Sequence, residues 1–139
     1  MKKFVFLLVI CLMLTGCGMR TLKCVKKNDS EAGTLTYEIT MLFQKNKLIS
    51  TTVDNCLKLD KDYKDYSNVL INRFKNVLKK YDDKKGIKTS IDESKDTIKT
   101  SIEFNLDKMD DKSKEELGFA RGTKKSIKKY YEKDGFKCK

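Results

Sequence analysis

The sequence predicts an α+β domain: an antiparallel sheet of about five strands, with one long and one shorter helix packed on one face, in the order β-β-β-α-β-β-α. Two patterns carry this. Thr34–Gln44 alternates, with Leu35, Tyr37, Ile39, Met41 and Phe43 on one side and Thr36, Glu38, Thr40 and Gln44 on the other, the period of a half-buried strand. Between Asp60 and Lys84, Tyr63, Tyr66, Leu70, Phe74, Val77 and Tyr81 recur every three or four residues, the period of an amphipathic helix. Hairpin followed by helix occurs twice, a pseudo-duplicated layout that buries both stripes between one sheet and its helices.

Thr21–Lys26 reads as a first strand and Asn28–Gly33 as a turn. After Thr34–Gln44, the dipeptide Lys45-Asn46 turns the chain into a Thr-rich third strand, Lys47–Leu57, with Ile49 and Val53 on one face. Asp60 suits the N-cap of the long helix, with Asp62 and Asp65 in its early turns, Lys79, Lys80, Lys84 and Lys85 near its end, and Gly86 as its stop. Ile87, Thr89 and Ile91 alternate in a fourth strand. A fifth places Ile98, Thr100, Ile102, Phe104 and Leu106 on one face. Asp110–Leu117 forms a short helix. Thr123 caps the last one, which carries Ile127, Tyr130 and Tyr131 and ends at Gly135.

The N-terminus sets the location. Lys2 and Lys3 precede an eleven-residue apolar run, Phe4–Leu14. As a helix this run is about 16 Å long, half of a bilayer core of about 30 Å, and so reads as a signal segment rather than a span. Leu14-Thr15-Gly16-Cys17 is similar to a bacterial lipobox. Its small residues admit a peptidase, and the Cys17 thiol takes a thioether-linked diacylglycerol. The expected organisation is a signal peptide over 1–16, a lipidated Cys17 with a short tether over 17–20, and one domain over 21–139. Cleavage leaves 123 of the 139 residues and removes Lys2 and Lys3, lowering the formal charge from +11 to +9. Two or three acyl chains give stable anchoring. This places the domain at the extracytoplasmic face of the cell membrane, or on an outer membrane.

Of five cysteines, Cys11 leaves with the signal peptide and Cys17 is lipidated. Cys24, Cys56 and Cys138 remain, enough for one bridge. Cys24 with Cys138 is the favoured pairing, joining the two ends of the domain; Cys56 with either of them is the alternative. Cys56 reads as a small hydrophobe buried at a strand end, or as a reactive thiol without a C-x-x-C partner.

The chain resembles the YehR-like small bacterial lipoproteins in Gly86-Ile87-Lys88, in Ser90-Ile91-Asp92, in Thr97-Ile98-Lys99-Thr100-Ser101-Ile102-Glu103-Phe104, and in a Lys-rich helix running into Asp134-Gly135-Phe136-Lys137. The resemblance implies an α+β domain behind a lipid anchor. It brings no activity, cofactor or catalytic residue. The cysteine pairing is inferred from this sequence alone.

The chain has no His. That removes the commonest general base, the Ser/His and Cys/His nucleophile pairs and the commonest metal ligand. Asp82-Asp83 and Asp110-Asp111 read as solvated turn residues rather than an acid/base pair. Asp107, Asp110 and Asp111 lack the central Gly and closing Glu of a calcium loop. No catalytic residue, metal or cofactor is expected. The C-terminal stretch is the anomaly: Lys124, Lys125, Lys128, Lys129, Lys133, Lys137 and Lys139 are offset only by Glu132 and Asp134, leaving +5. It reads as a solvated helix face, or as a contact for anionic lipid or a wall polymer. Cys24 is seven residues from Cys17, at most about 25 Å of chain, so a bridge to Cys138 ties this stretch near the bilayer. Nucleic acid is disfavoured by location. The expected function is a non-enzymatic binding module at the cell envelope with no defined protein partner. The alternative is a small thiol or ligand-carrier protein using Cys56 or a cavity under the long helix.

Overall fold

The computed structural model describes residues 18–119 and 122–139; the expected signal peptide and Cys17 lie outside these residues. Six strands form one antiparallel sheet: β1 (Met19–Ser30), β2 (Gly33–Gln44), β3 (Lys47–Leu59), β4 (Ile87–Glu93), β5 (Thr97–Asn105) and β6 (Lys137–Cys138). Their spatial order is β4-β5-β3-β2-β1-β6. A 3-10 turn, Lys61–Tyr66, leads into α1 (Ser67–Leu78); α2 (Asp111–Glu116) and α3 (Lys124–Lys133) come after β5. Among the described residues no helix is long and apolar enough to cross a membrane.

Alternation decides which face the helices cover. Ile39, Val53 and Ile102 are cross-strand neighbours in one row, and the apolar clusters grow on that side. The first cluster joins Leu22, Cys24, Ile39, Met41 and Phe43 to Ile127 of α3, with Tyr131 and Phe136 against it. The second joins Ile102, Phe104, Leu106 and Met109 to Leu78 of α1, with Tyr81 and Phe119 against it. Phe104 packs edge-on against both aromatics, its ring centroid 5.9 Å from that of Tyr81 and 5.0 Å from that of Phe119. All these buried residues lie between Leu22 and Cys138.

The structure departs from the sequence expectations where local bonds override periodicity. β1 starts at Met19, inside the expected tether, and runs to Ser30. The turn-forming Asp29 and Ser30 stay in the strand because their side chains bond across the hairpin: the Thr34 hydroxyl donates to Asp29 at 2.6 Å and the Ser30 hydroxyl to the Gly33 carbonyl at 3.0 Å. The tight turn at Lys45-Asn46 forms as expected, both residues taking positive φ (48° and 66°). A bulge beyond it pairs Leu42 with Ser50 but Phe43 with Leu48. Ile49 therefore loses its place in the apolar row, and Leu48 turns inward to touch both clusters.

The long helix is shorter than its stripe suggests. Its first six residues wind as a 3-10 turn, which shifts the phase of the α-helical residues after it. Ile71 and Leu78, seven residues apart, are the buried pair, while Tyr66 and Val77 of the expected stripe are about half exposed or more (60% and 48%). The chain leaves the helix at Leu78 in turns whose N–H groups bond three residues back. Asp82 accepts from the Thr89 hydroxyl on β4 at 3.0 Å, and Gly86 makes the reversal at φ 83°.

Thr51 is 95% buried on the helix-covered face, and its hydroxyl has no hydrogen-bond partner among the described residues. An unpaired buried hydroxyl costs about 1–3 kcal/mol. Thr51→Val, which keeps the branched shape, is therefore expected to raise the urea unfolding midpoint, with a stability gain of up to about 1–2 kcal/mol.

Candidate functional site

α3 lies alongside β1 because three devices hold it there. Ile127, 2% exposed, is its one buried residue and joins Leu22 and Phe43 in the first cluster. At its far end, Lys26 of β1 donates to the Asp134 carbonyl at 2.7 Å and places its ammonium 5.4 Å from the centre of the Phe136 ring. Gly135, at φ 88°, then turns the chain into β6. β6 pairs with β1 so that Cys138 lies directly opposite Cys24, and the two sulfurs are at disulfide distance. Tyr131, packed between Tyr130 and Phe136, has its phenol pushed up by burial.

This arrangement aims the N-terminal end of α3 at the start of β1. Thr123 caps the helix, its hydroxyl accepting from the Ser126 N–H at 3.3 Å. Around this end a groove of about 330 Å³ is lined by Arg20 from β1, Asn46 from the β2–β3 turn, and Thr123, Lys124, Lys125 and Lys128. Of the seven C-terminal lysines, the fold thus brings Lys124, Lys125 and Lys128 to the end of the sheet where β1 begins. Lys133 sits at the other end of α3, Lys137 lies opposite Val25, and Lys139 pairs through its backbone with Lys23. Lys129 is exposed on α3. Arg20 and Asn46 were missed by sequence reasoning. No periodicity connects residue 20 or 46 with residue 124; only the packing of α3 on β1 does.

Among the described residues the sheet's other face carries no helix, and it is rich in Thr, Ser and charged residues. Cys56 lies there, free and half-buried, rather than in the core. Its cross-strand neighbours are Thr36 and Lys99. Together with Glu38, Asp54 and Ser101 these line an open groove of about 480 Å³. The reason is parity: Val53, Asn55 and Leu57 take the helix-covered side of β3, so Cys56 takes the other. The region beside the long helix offers open grooves of about 530 and 660 Å³, between α1 and β4, the second lined in part by Leu78 and Ile91.

Of the paired acids, Asp82, Asp110 and Asp111 have structural partners. Asp110 caps α2, accepting the Ser113 N–H at 2.8 Å, a bond that holds its carboxyl below the usual carboxylate range. Asp111 pairs with Lys114 at 3.1 Å and Asp107 with Lys47 at 3.4 Å. Among the described residues no group of three or more His, Cys, Asp or Glu is arranged to hold a metal ion. Because the Asp110 carboxyl is depressed in the folded state, its contribution is present above the ordinary carboxylate pKa. It is lost as pH falls through the folded value. Amide exchange in α2 is therefore expected to rise in acid before that of α3, whose cap is the non-titrating Thr123.

The fold and site together define a small α+β domain with its helices on one face of an antiparallel sheet and a cationic groove where its first strand starts. Two solved structures share this fold. A protein from Streptococcus pneumoniae TIGR4, solved by NMR, aligns at a TM-score of 0.63 with 13% identity, over 87% of this chain and 85% of its own. The NMR structure of E. coli YehR aligns at 0.61 with 11% identity, over 87% of this chain and 92% of its own. No protein-family model matches the chain, and no curated protein sequence matches it.

Proposed function

We propose that the chain is an extracytoplasmic bacterial lipoprotein, anchored by acyl chains on Cys17, whose folded domain is a non-enzymatic binding module at the cell envelope. The likeness in fold to YehR supports the family resemblance read from the sequence. The observation that carries the proposal is the position of the basic helix. β1 starts two residues after Cys17, and α3 presents Lys124, Lys125 and Lys128 at that same end. A lysine close to an anionic surface contributes about 1 kcal/mol, decaying over a Debye length of about 8–10 Å. Anionic lipid and anionic wall polymer both offer the complementary charge.

Flotation of the unlipidated, oxidised domain, residues 18–139, with phosphatidylglycerol-containing and with neutral vesicles tests this. Binding to anionic vesicles, weakened by salt and by changing all seven C-terminal lysines to Gln, is expected. Absence of binding at low salt would return α3 to a solvated helix face.

A second reading takes Cys56 as a working thiol, favoured by its position in an open groove opposite Lys99. The binding-module reading expects Cys56→Ser to leave vesicle binding unchanged and Cys56 to be alkylated no faster than a free thiol in solution. Markedly faster alkylation in the folded protein would favour the thiol reading.

A further inference from the structure

Two segments far apart in sequence bring cations to one place, and a third adds an amide. Arg20 is the second residue of β1, Asn46 belongs to the β2–β3 turn, and Lys124, Lys125 and Lys128 occupy the first turns of α3. Among the described residues Arg20, Lys124 and Lys125 make no ion pair, while Lys128 shares Glu132 at 3.6 Å. No acidic residue is among the described residues that line the groove. The groove therefore holds uncompensated positive charge.

We infer that this groove seats the phosphodiester headgroup of an anionic phospholipid and so fixes how the domain stands on the bilayer. The inference rests on the anchor at Cys17. The chain leaves the anchor only three residues before Arg20, at most about 10 Å. The headgroup layer on each side of a bilayer is about 5–8 Å thick, so Arg20 and the groove reach it without unfolding β1. Lys133, Lys137 and Lys139 are carried away from it, whereas Lys129 follows Lys128 in the middle of α3. β1 rises about 3.3 Å per residue, which puts Cys24 and its partner Cys138 about 13 Å beyond Arg20. With a Debye length of about 8 Å, the surface potential falls about fivefold over that distance. The Arg20 guanidinium presents a planar fork that matches two phosphate oxygens, while the lysines add point charges around it. The groove, rather than the lysine count of the C-terminus, then determines membrane contact.

Two variants of the unlipidated domain carry the test, each losing four positive charges. One is Arg20→Gln with Lys124→Gln, Lys125→Gln and Lys128→Gln. The other is Lys27→Gln with Lys133→Gln, Lys137→Gln and Lys139→Gln; Lys27 is exposed on β1, seven residues beyond Arg20. Partitioning onto vesicles of phosphatidylcholine mixed with an equal amount of phosphatidylglycerol is compared with phosphatidylcholine alone. Thermal unfolding of each variant checks that it is folded. The groove variant is expected to lose about tenfold or more in partitioning, and the far-end variant about twofold or less. Arg20→Lys, which keeps the charge but not the fork, is expected to lose a few fold. Equal losses in the two fourfold variants, a larger loss in the far-end one, or full binding by Arg20→Lys would overturn the seat while leaving the anionic-surface reading in place. No binding by the wild-type domain at low salt would overturn both.

Discussion

Replacing Cys24 and Cys138 together by Ala is expected to lower the unfolding free energy by about 4 kcal/mol, read as a drop in the guanidinium midpoint with little change in the folded-state spectrum. The two residues are separated by 114 positions. In the chain-entropy account, cross-linking a loop near 100 residues removes about 4–5 kcal/mol of unfolded-state freedom, with measured values more often about 2–4. The folded-state contribution is smaller. β6 has two residues, and its backbone pairing with β1 spans Lys23–Val25. Without the bridge, β6 is the element expected to exchange amide protons first. Because β6 comes directly after α3, the same variant should loosen the C-terminal end of that helix, where Lys26 is left as the remaining clamp on Asp134. Cys56→Ala, outside the core and outside the bridge, should change the midpoint little.

Phe104→Ala carries the second large expected effect, a loss of about 3–5 kcal/mol. Phe104 is 93% buried and is the ring on which Tyr81 and Phe119 both stand edge-on. Its removal opens a cavity between β5, the chain leaving α1 and the segment after α2. Edge-on aromatic pairs add about 0.5–1.5 kcal/mol beyond area. A double-mutant cycle of Phe104→Ala with Phe119→Ala should therefore show coupling of about that size. Ile127, in the other cluster, should show none with Phe104. Thermal unfolding of the four proteins of each cycle measures this directly.

The strands with one buried face were the legible part of the fold. In β2 and β5 each step along the chain swaps water for core, so alternation reports the face, and the structure keeps Ile39, Met41, Phe43, Ile98, Ile102 and Phe104 buried. The cap at Thr123 and the stop at Gly135 were legible because both arise from local chemistry. Four features were not. β6 is too short to show a period and exists because Cys138 lies opposite Cys24. The bulge that brings Leu48 inward in place of Ile49 is set by pairing with Phe43, far from any local signal. The 3-10 start of the long helix rotates its apolar stripe, so Ile71 and Leu78 are buried where Tyr66 and Val77 were expected. The register of β3 is what places Cys56 on the helix-free face. The candidate site divides the same way. Its lysines stand out by composition, whereas Arg20 and Asn46 join them only through tertiary packing.

The central claim is that the domain is held at the membrane by Cys17, and intact mass of the protein extracted from bacterial membranes tests it most directly. The account predicts a chain beginning at residue 17, heavier than its sequence by a diacylglyceryl group, with or without a further acyl chain. It also predicts that Cys17→Ser abolishes both the added mass and the processing. A membrane-extracted chain that retains residues 1–16, or a wild-type protein recovered in the soluble fraction without added mass, would contradict it.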